Sequence, residues 1–327
     1  MRVLVAGGTG AIGTPLVRQL IERGHVVTAT TRHPERAEHL RRIGATVARM
    51  DGLDAASVGE AVARAEPEAV IHQMTSLSGK LDMRHFDRTF RTTNALRTTG
   101  TRHLLAAAQA AGVKRFLAQS YTGWPITRTG EGPSTEDEPF EPNLPRAQRE
   151  TLAAIRVLEL SVLGAPLAGI VLRYGSFYGA GVWDALVEMV RRRMLPVIGD
   201  GAGVWSRIHV DDAASATVAA LEHGEAGVYN VVDDEPASAA EWIPYLAELA
   251  GAKRPMRVPV WLGRLLAGDV VVQMMTAMRG ASNEKAKWVL DWRPHWASWR
   301  DGFRHALGAT PTLVAPRDRV RRGGAAA

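Results

Sequence analysis

The stretch Met1-Arg2-Val3-Leu4-Val5-Ala6-Gly7-Gly8-Thr9-Gly10-Ala11-Ile12-Gly13 decides the fold. Val3 to Ala6 is an apolar run too short for a helix, as in a strand buried on both faces. Gly7, Gly10 and Gly13 then recur at steps of three. Gly7 permits a tight turn, Gly10 lets a pyrophosphate approach the backbone, and Gly13 lets the next helix pack close to the strand. That helix carries Leu16, Val17, Leu20 and Ile21 and stops at Arg23-Gly24. Its N-terminus supplies free N–H groups and partial positive charge for phosphates. Glycines alone would be a flexible turn. A strand before them and an amphipathic helix after them make a dinucleotide site, with Gly7, Thr9, Gly10, Ala11, Ile12 and Gly13 against the cofactor.

The next strand, predicted over 25–30, leads into Thr31-Arg32-His33. An enzyme that uses NAD places Asp or Glu here, about twenty residues past the glycines, to bind the ribose 2′-hydroxyl. No acid precedes Glu35. Arg32 instead offers a planar, always-charged fork suited to a 2′-phosphate, with the Thr31 hydroxyl beside it. The expected cofactor is NADP, with NAD as the alternative.

Further along, strand and helix patterns alternate: strands over 45–50, 69–73, 115–120 and 167–174, with helices between them. The expected fold is α/β, a Rossmann-type doubly wound parallel sheet with a smaller mixed C-terminal substrate domain. Residues 1–180 form the dinucleotide-binding domain, and 204–235 return to it. Residues 181–203 and 236–310 form the smaller domain. Helices are expected over 238–250 and 258–279, and Trp288, Trp292, Trp296, Trp299 and Phe303 read as a core stripe. Asp211-Asp212 reads as a helix start.

Composition narrows the function classes. With 327 residues, 46% hydrophobic and 23% charged, there is ample material for a large core. Cysteine is absent, which excludes disulfides, zinc–thiolate sites and cysteine nucleophiles. Part of the +6 net charge sits in 311–327, read as a disordered basic tail. The body has no basic block interleaved with aromatics, so nucleic acid is not an expected partner. No apolar run is long enough to span a membrane, no signal peptide is evident, and a cytoplasmic protein is expected. No metal-ligand pattern or nucleophile elbow is present, so the metal expectation is none.

The accumulated motifs resemble those of the extended short-chain dehydrogenase/reductases, the NAD-dependent epimerase/dehydratase family, over about residues 1–305. Besides the glycine turn, Met50-Asp51-Gly52-Leu53-Asp54 is similar to the family's adenine-contacting stretch. Val70 to Met74 is similar to its fourth-strand segment, and Asn94 to its helix asparagine. Leu172-Arg173-Tyr174-Gly175-Ser176-Phe177-Tyr178-Gly179, His209-Val210-Asp211-Asp212 and Tyr229-Asn230-Val231 match as well. The resemblance implies cofactor contacts from Asp51, Gly52, Leu53, Gln73, Met74, Thr75, Asn94, Tyr174 and Phe177. It gives His209 a structural role.

The departures bear on chemistry. The family uses a Tyr as acid/base and a Lys four residues later. None of the five tyrosines here has that lysine, and the two positions fall on Thr151 and Ile155. Any proton transfer must then come from elsewhere: from hydroxyls at strand ends, Thr75, Ser120, Tyr121, Thr122, Tyr174 or Tyr178, or from water with no protein acid at all. Tyr121 is the first choice. It sits at or beside the family's Ser/Thr position, and a phenol has a reference pKa of about 10. Ser120 and Thr122 would position the substrate oxygen. Where nucleotide-sugar enzymes of the family carry an Arg, this chain has Trp205. With Trp124, Tyr178 and Trp183, this suggests a small, non-nucleotide, apolar or aromatic carbonyl or alcohol substrate. The expectation is an NAD(P)-dependent oxidoreductase or epimerase, with a homodimer as its assembly. The rivals are a non-redox isomerase or lyase and a catalytically inactive NADP-binding sensor.

Overall fold

The computed structural model describes residues 1–77 and 82–308. The tail expected over 311–327 lies outside the described residues. In the first half, β1 (Arg2–Ala6) runs into α1 (Gly13–Glu22), followed by β2 (Val26–Thr31), α2 (Glu38–Arg42), β3 (Thr46–Arg49), α3 (Ala55–Ala65) and β4 (Ala69–His72). Short α4 (Phe86–Thr89) and α5 (Arg91–Ala95) lead through a π-helical turn into α6 (Thr101–Ala110) and β5 (Arg115–Tyr121). After a long connection come α7 (Arg149–Leu163) and β6 (Ala168–Tyr174).

Seven parallel strands form one sheet in the order β11-β6-β5-β4-β1-β2-β3, where β11 is Gly227–Val231. The order reverses between β1 and β4, and ligands bind at such a switch point. Alternation along β1 sends Val3 and Val5 to a core shared with Leu16 and Leu20 of α1. Leu4 and Ala6 point the other way, against Val58 and Val62 of α3 and Leu104 of α6. Both faces are covered, which is why the strand reads as an unbroken apolar run.

The remaining elements cross between two bodies. β7 (Ser176–Tyr178) follows β6, and α8 (Asp184–Arg191), β8 (Val197–Ile198) and β9 (Val204–Trp205) belong to the smaller one. β10 (Arg207–His209) pairs with β7, and α9 (Val210–His223) then packs back on α1. β9 pairs instead with β12 (Ala237–Ser238) of the small domain, so the crossing falls between Trp205 and Arg207. α10 (Ala239–Leu249) starts at a Ser238–Glu241 capping box. β13 (Arg257–Val258), α11 (Val260–Ala267), α12 (Asp269–Thr276), α13 (Glu284–Val289) and α14 (Trp299–Ala306) complete the chain.

Two expectations change here. The helix predicted over 258–279 is two helices, because Gly268 at φ 89° breaks the backbone between them. The aromatic stripe is not one surface. Trp299 and Phe303 are buried in the small-domain core, Trp292 is buried in the Rossmann core, and Trp288 is 83% exposed. α13 ends at Val289, so the helical spacing that would align these rings is lost.

Candidate active site

The site begins where β1 ends. Gly7 has φ 91°, and a Cβ there would meet the Gln73 carbonyl at 3.0 Å. A Cβ at Gly13 would run into the Gly7 carbonyl oxygen. At Gly10 the only neighbour is that same oxygen at 3.2 Å, which leaves its outer side open. Ile12, the N-cap of α1, makes no side-chain cap. The Thr14 N–H donates to the Gly10 carbonyl at 3.1 Å and Pro15 has no N–H, so the amides left for a ligand are those of Ala11, Ile12 and Gly13. Thr9 donates to Thr31 Oγ1 at 3.3 Å, joining the turn to the end of β2. Arg32 follows immediately, with an exposed side chain.

Beyond the switch point, His72 shapes the end of β4. Its Nδ1 accepts the Met74 N–H at 3.2 Å, so its Nε2–H donates to the Leu96 carbonyl at 3.3 Å. Burial pushes its pKa down to about 4, and the ring is neutral. Met74 lies against Gly52, where a Cβ would touch its Sδ at 2.5 Å. Asp51 accepts the Leu53 N–H at 3.0 Å and so folds the 51–53 turn. Buried Gln73 Oε1 and Thr122 Oγ1 have no partner. These orphaned atoms at the ends of β4 and β5, with the cradle at Gly10, fit a nicotinamide dinucleotide lying across the switch point. Thr75 follows Met74, and Asn94 sits deeper, donating to Thr151 Oγ1 at 3.0 Å.

Several expected residues are otherwise engaged. Ser120 donates to Glu159 Oε1 at 2.6 Å, and Glu159 is held by Arg173 through contacts of 3.0 and 2.7 Å. This buried cluster takes Ser120 out of the reaction site, correcting its assignment as a substrate-positioning hydroxyl. Tyr174 accepts from Gln73 Nε2 at 3.0 Å and donates to Thr217 Oγ1 at 2.6 Å, because Thr217 gives its own proton to the Ala213 carbonyl. Its hydroxyl is a closed link beneath the glycine turn, with a pKa pushed up to about 12 by burial. Phe177 packs beside it, ring to ring at 5.5 Å. The Tyr174 side chain is fully buried, and Phe177 is partly buried against the same core. Tyr178 and Trp183 are also corrected: both are buried in the small-domain core, with the Tyr178 hydroxyl against Gly302.

Thr151 and Ile155, near which the family resemblance puts the acid/base pair, are also enclosed. Thr151 donates to Asp87 Oδ1 at 2.6 Å while accepting from Asn94, and Ile155 is fully buried in apolar surroundings. Of the candidate hydroxyls, Thr75, Tyr121 and Thr122 remain at the ends of the strands, and Tyr121 is the phenol among them. Its hydroxyl lies 3.1 Å from Ser176 Oγ, and its ring lies 6.4 Å from that of Trp124. Burial raises its pKa; the Ser176 contact and the charge of Arg207 pull the other way. Trp124 and half-buried Trp205 pack in the same small apolar cluster.

His209 accepts the Asp211 N–H at 3.2 Å as the N-cap of α9. Asp212 accepts the N–H groups of His295 and Trp296 at 2.8 and 2.9 Å. Both hold structure, and among the described residues no group of three potential ligands could bind a metal ion.

A glycine-turn cradle at the switch point of a parallel sheet defines a nicotinamide-dinucleotide enzyme of the Rossmann class. Residues 3–232 match the NAD dependent epimerase/dehydratase family, and the chain belongs to it. It is 43% identical over 310 residues to a 3-diazoavenalumate denitrifying reductase of a Streptomyces species, covering 93% of this chain and 99% of that protein. It is 30% identical over 274 residues to the 2-alkyl-3-oxoalkanoate reductase of Stenotrophomonas maltophilia, covering 78% and 77%. The fold is similar to that of a UDP-glucose 4-epimerase of Thermus thermophilus in complex with NAD. That match has a TM-score of 0.73 and 26% identity, over 94% of this chain and 98% of the other. This protein is an NAD(P)-dependent enzyme of the oxidoreductase/epimerase type. No helix among the described residues is long and apolar enough to cross a membrane.

Proposed function

We propose that this enzyme is an NADPH-dependent reductase of a small, non-nucleotide aromatic substrate, and that the group reduced is a diazo group. The observation that carries the reading is the closure of both family acid/base positions, Thr151 and Ile155, in a chain similar end to end to a diazo-reducing relative. Bound nicotinamide supplies a hydride. A carbonyl that accepts a hydride becomes an alkoxide and needs a proton. An aryl diazonium ion does not. Hydride adds to its terminal nitrogen to give an aryl diazene, which loses N2 and leaves a C–H bond. The positive charge of the substrate passes to the oxidised cofactor, so charge balances without a protein acid.

In this reading Tyr121, kept protonated by burial, gives a hydrogen bond to the substrate and retains its proton. Thr122 Oγ1 and Gln73 Oε1 supply the polar positions around the reacting atoms. Trp124 and Trp205 face the aromatic ring. Arg32 takes the 2′-phosphate, and its neighbour Glu35 is turned to His33 at 3.2 Å. The proposed assembly is a second copy of the chain across α7, whose Val157, Leu160 and Leu163 are exposed on one side. The deciding experiment mixes the protein with NADPH and 4-carboxybenzenediazonium, against a blank without protein. Loss of the NADPH absorbance with equimolar benzoate and N2 supports the reading. Turnover of ketones with none of the diazonium ion sinks it.

A further inference from the structure

The structure holds a second polar feature that the reaction chemistry leaves unused. Arg207 is 2% exposed, yet its Nε and Nη2 have no partner. Its guanidinium lies 3.9 Å from the ring centroid of Trp242 and 5.7 Å from that of Trp205. The indole nitrogens of both tryptophans are also buried without acceptors. Four donor nitrogens in one aromatic cluster therefore lack an acceptor, and a buried donor left unpaired costs about 1–3 kcal/mol. The acid acting on Arg207 is Asp233, whose Oδ2 is itself unpartnered. Burial raises the Asp233 pKa, and the charge of Arg207 pulls it the other way.

The position ties this cluster to the reaction site. Arg207 is the register partner of Ser176, and Ser176 Oγ touches the Tyr121 hydroxyl. Trp205 lies two residues before Arg207 and packs on both the small-domain core and the Tyr121–Trp124 cluster. The Arg207 and Tyr121 side chains are close enough to act on each other's ionisation.

We propose that Arg207, with the indole N–H of Trp205, is a carboxylate receptor that selects small aromatic acids and sets their far end at Tyr121. A carboxylate offers paired acceptor oxygens matched to the guanidinium fork. The proposal deepens the reductase reading and rests on it for the direction of the substrate. Its test needs no turnover. The NADP-loaded protein is titrated calorimetrically with 4-hydroxycinnamate and with its neutral methyl ester. The acid binds at least ten-fold more tightly, and Arg207→Met abolishes that preference while NADP affinity stays within two-fold. Trp205→Phe, which keeps the ring and loses the N–H, weakens the acid and not the ester, and it serves if the Arg207 variant does not fold. Equal affinity for acid and ester, binding of neither, or a preference that survives Arg207→Met overturns the proposal. Acid preference without diazonium turnover would instead retire the reductase reading and leave the receptor standing.

Discussion

The two ends of the proposed site recognise their ligands by different means. At the glycine turn the backbone does the work: Gly7 and Gly13 leave no room for a Cβ, Gly10 leaves an open face, and the Ala11, Ile12 and Gly13 amides have no backbone acceptor. His72 nearby has both ring nitrogens engaged and is neutral. At the small-domain end the recognition lies in side chains, and their polar atoms are unpaired: Arg207, Trp205, Trp242 and Asp233. The backbone end is finished before a ligand arrives, whereas the side-chain end is completed by one. Substitutions should therefore act on stability at the first end and on selectivity at the second.

The largest expected effect is at Gly13. In Gly13→Ala the new methyl meets the Gly7 carbonyl, so one side of the turn must shift. Such overpacking costs about 1–3 kcal/mol. Thermal melting should fall, and NADPH affinity measured by calorimetry should drop about a hundred-fold as the cradle distorts. A variant that melts and binds like the parent would show that side chains, not the backbone, hold the cofactor.

Next is Arg32→Ala. The loss of charge-assisted hydrogen bonds to a 2′-phosphate is worth about 1.5–3 kcal/mol. NADPH affinity should fall by about ten-fold or more, while NADH affinity is unchanged. Equal losses for both cofactors would remove Arg32 from the site.

Smaller still is Tyr121→Phe. If the hydroxyl only donates a hydrogen bond, diazonium turnover should fall by about ten-fold or less. A loss of two to four orders of magnitude, the usual worth of general acid catalysis, would mean that a proton moves and that the acceptor is a carbonyl. Either result fixes the chemistry at the side-chain end.

The same contrast sets what could be read from the sequence. The glycine turn is local, and its spacing alone dictates backbone geometry. The helix expected over 238–250 was legible for the same local reason, since it starts at a Ser238–Glu241 capping box. Counting along the chain put the family's acid/base pair near Thr151 and Ile155. It could not say that Asp87, 64 residues away in sequence, locks Thr151. Ser120 reads as a free hydroxyl until the fold brings Glu159 beneath it. Tyr178 and Trp183 carry the same letters as site aromatics, and only packing sends them inward. Arg207 gave no signal at all. Its meaning comes from being enclosed by rings, and the nearest sequence cue, the departure at Trp205, lies two residues away.

The smallest expected effect compares paired charges with the unpaired ones. Glu222 at the end of α9 holds Arg23 beyond α1 and His25 at 3.1 Å, tying the C-terminal ends of the two helices together. The Arg23 hydrogen bond, followed by that of His25, keeps the Glu222 pKa below its ordinary value of 4.5. A depressed carboxylate stabilises the fold fully above the unfolded value, and that gain is lost as pH falls through the folded one. Arg23 is 58% exposed, so solvent and salt screen the pair. Glu222→Gln should therefore lower Tm by about 1–3 °C at neutral pH, with the difference shrinking in high salt. Toward about pH 3 the parent and the variant should converge, because the parent's carboxylate has then taken up its proton. A gap that persists there would assign the loss to packing between α1 and α9. The charges behind the cofactor end would then contribute nothing to its rigidity.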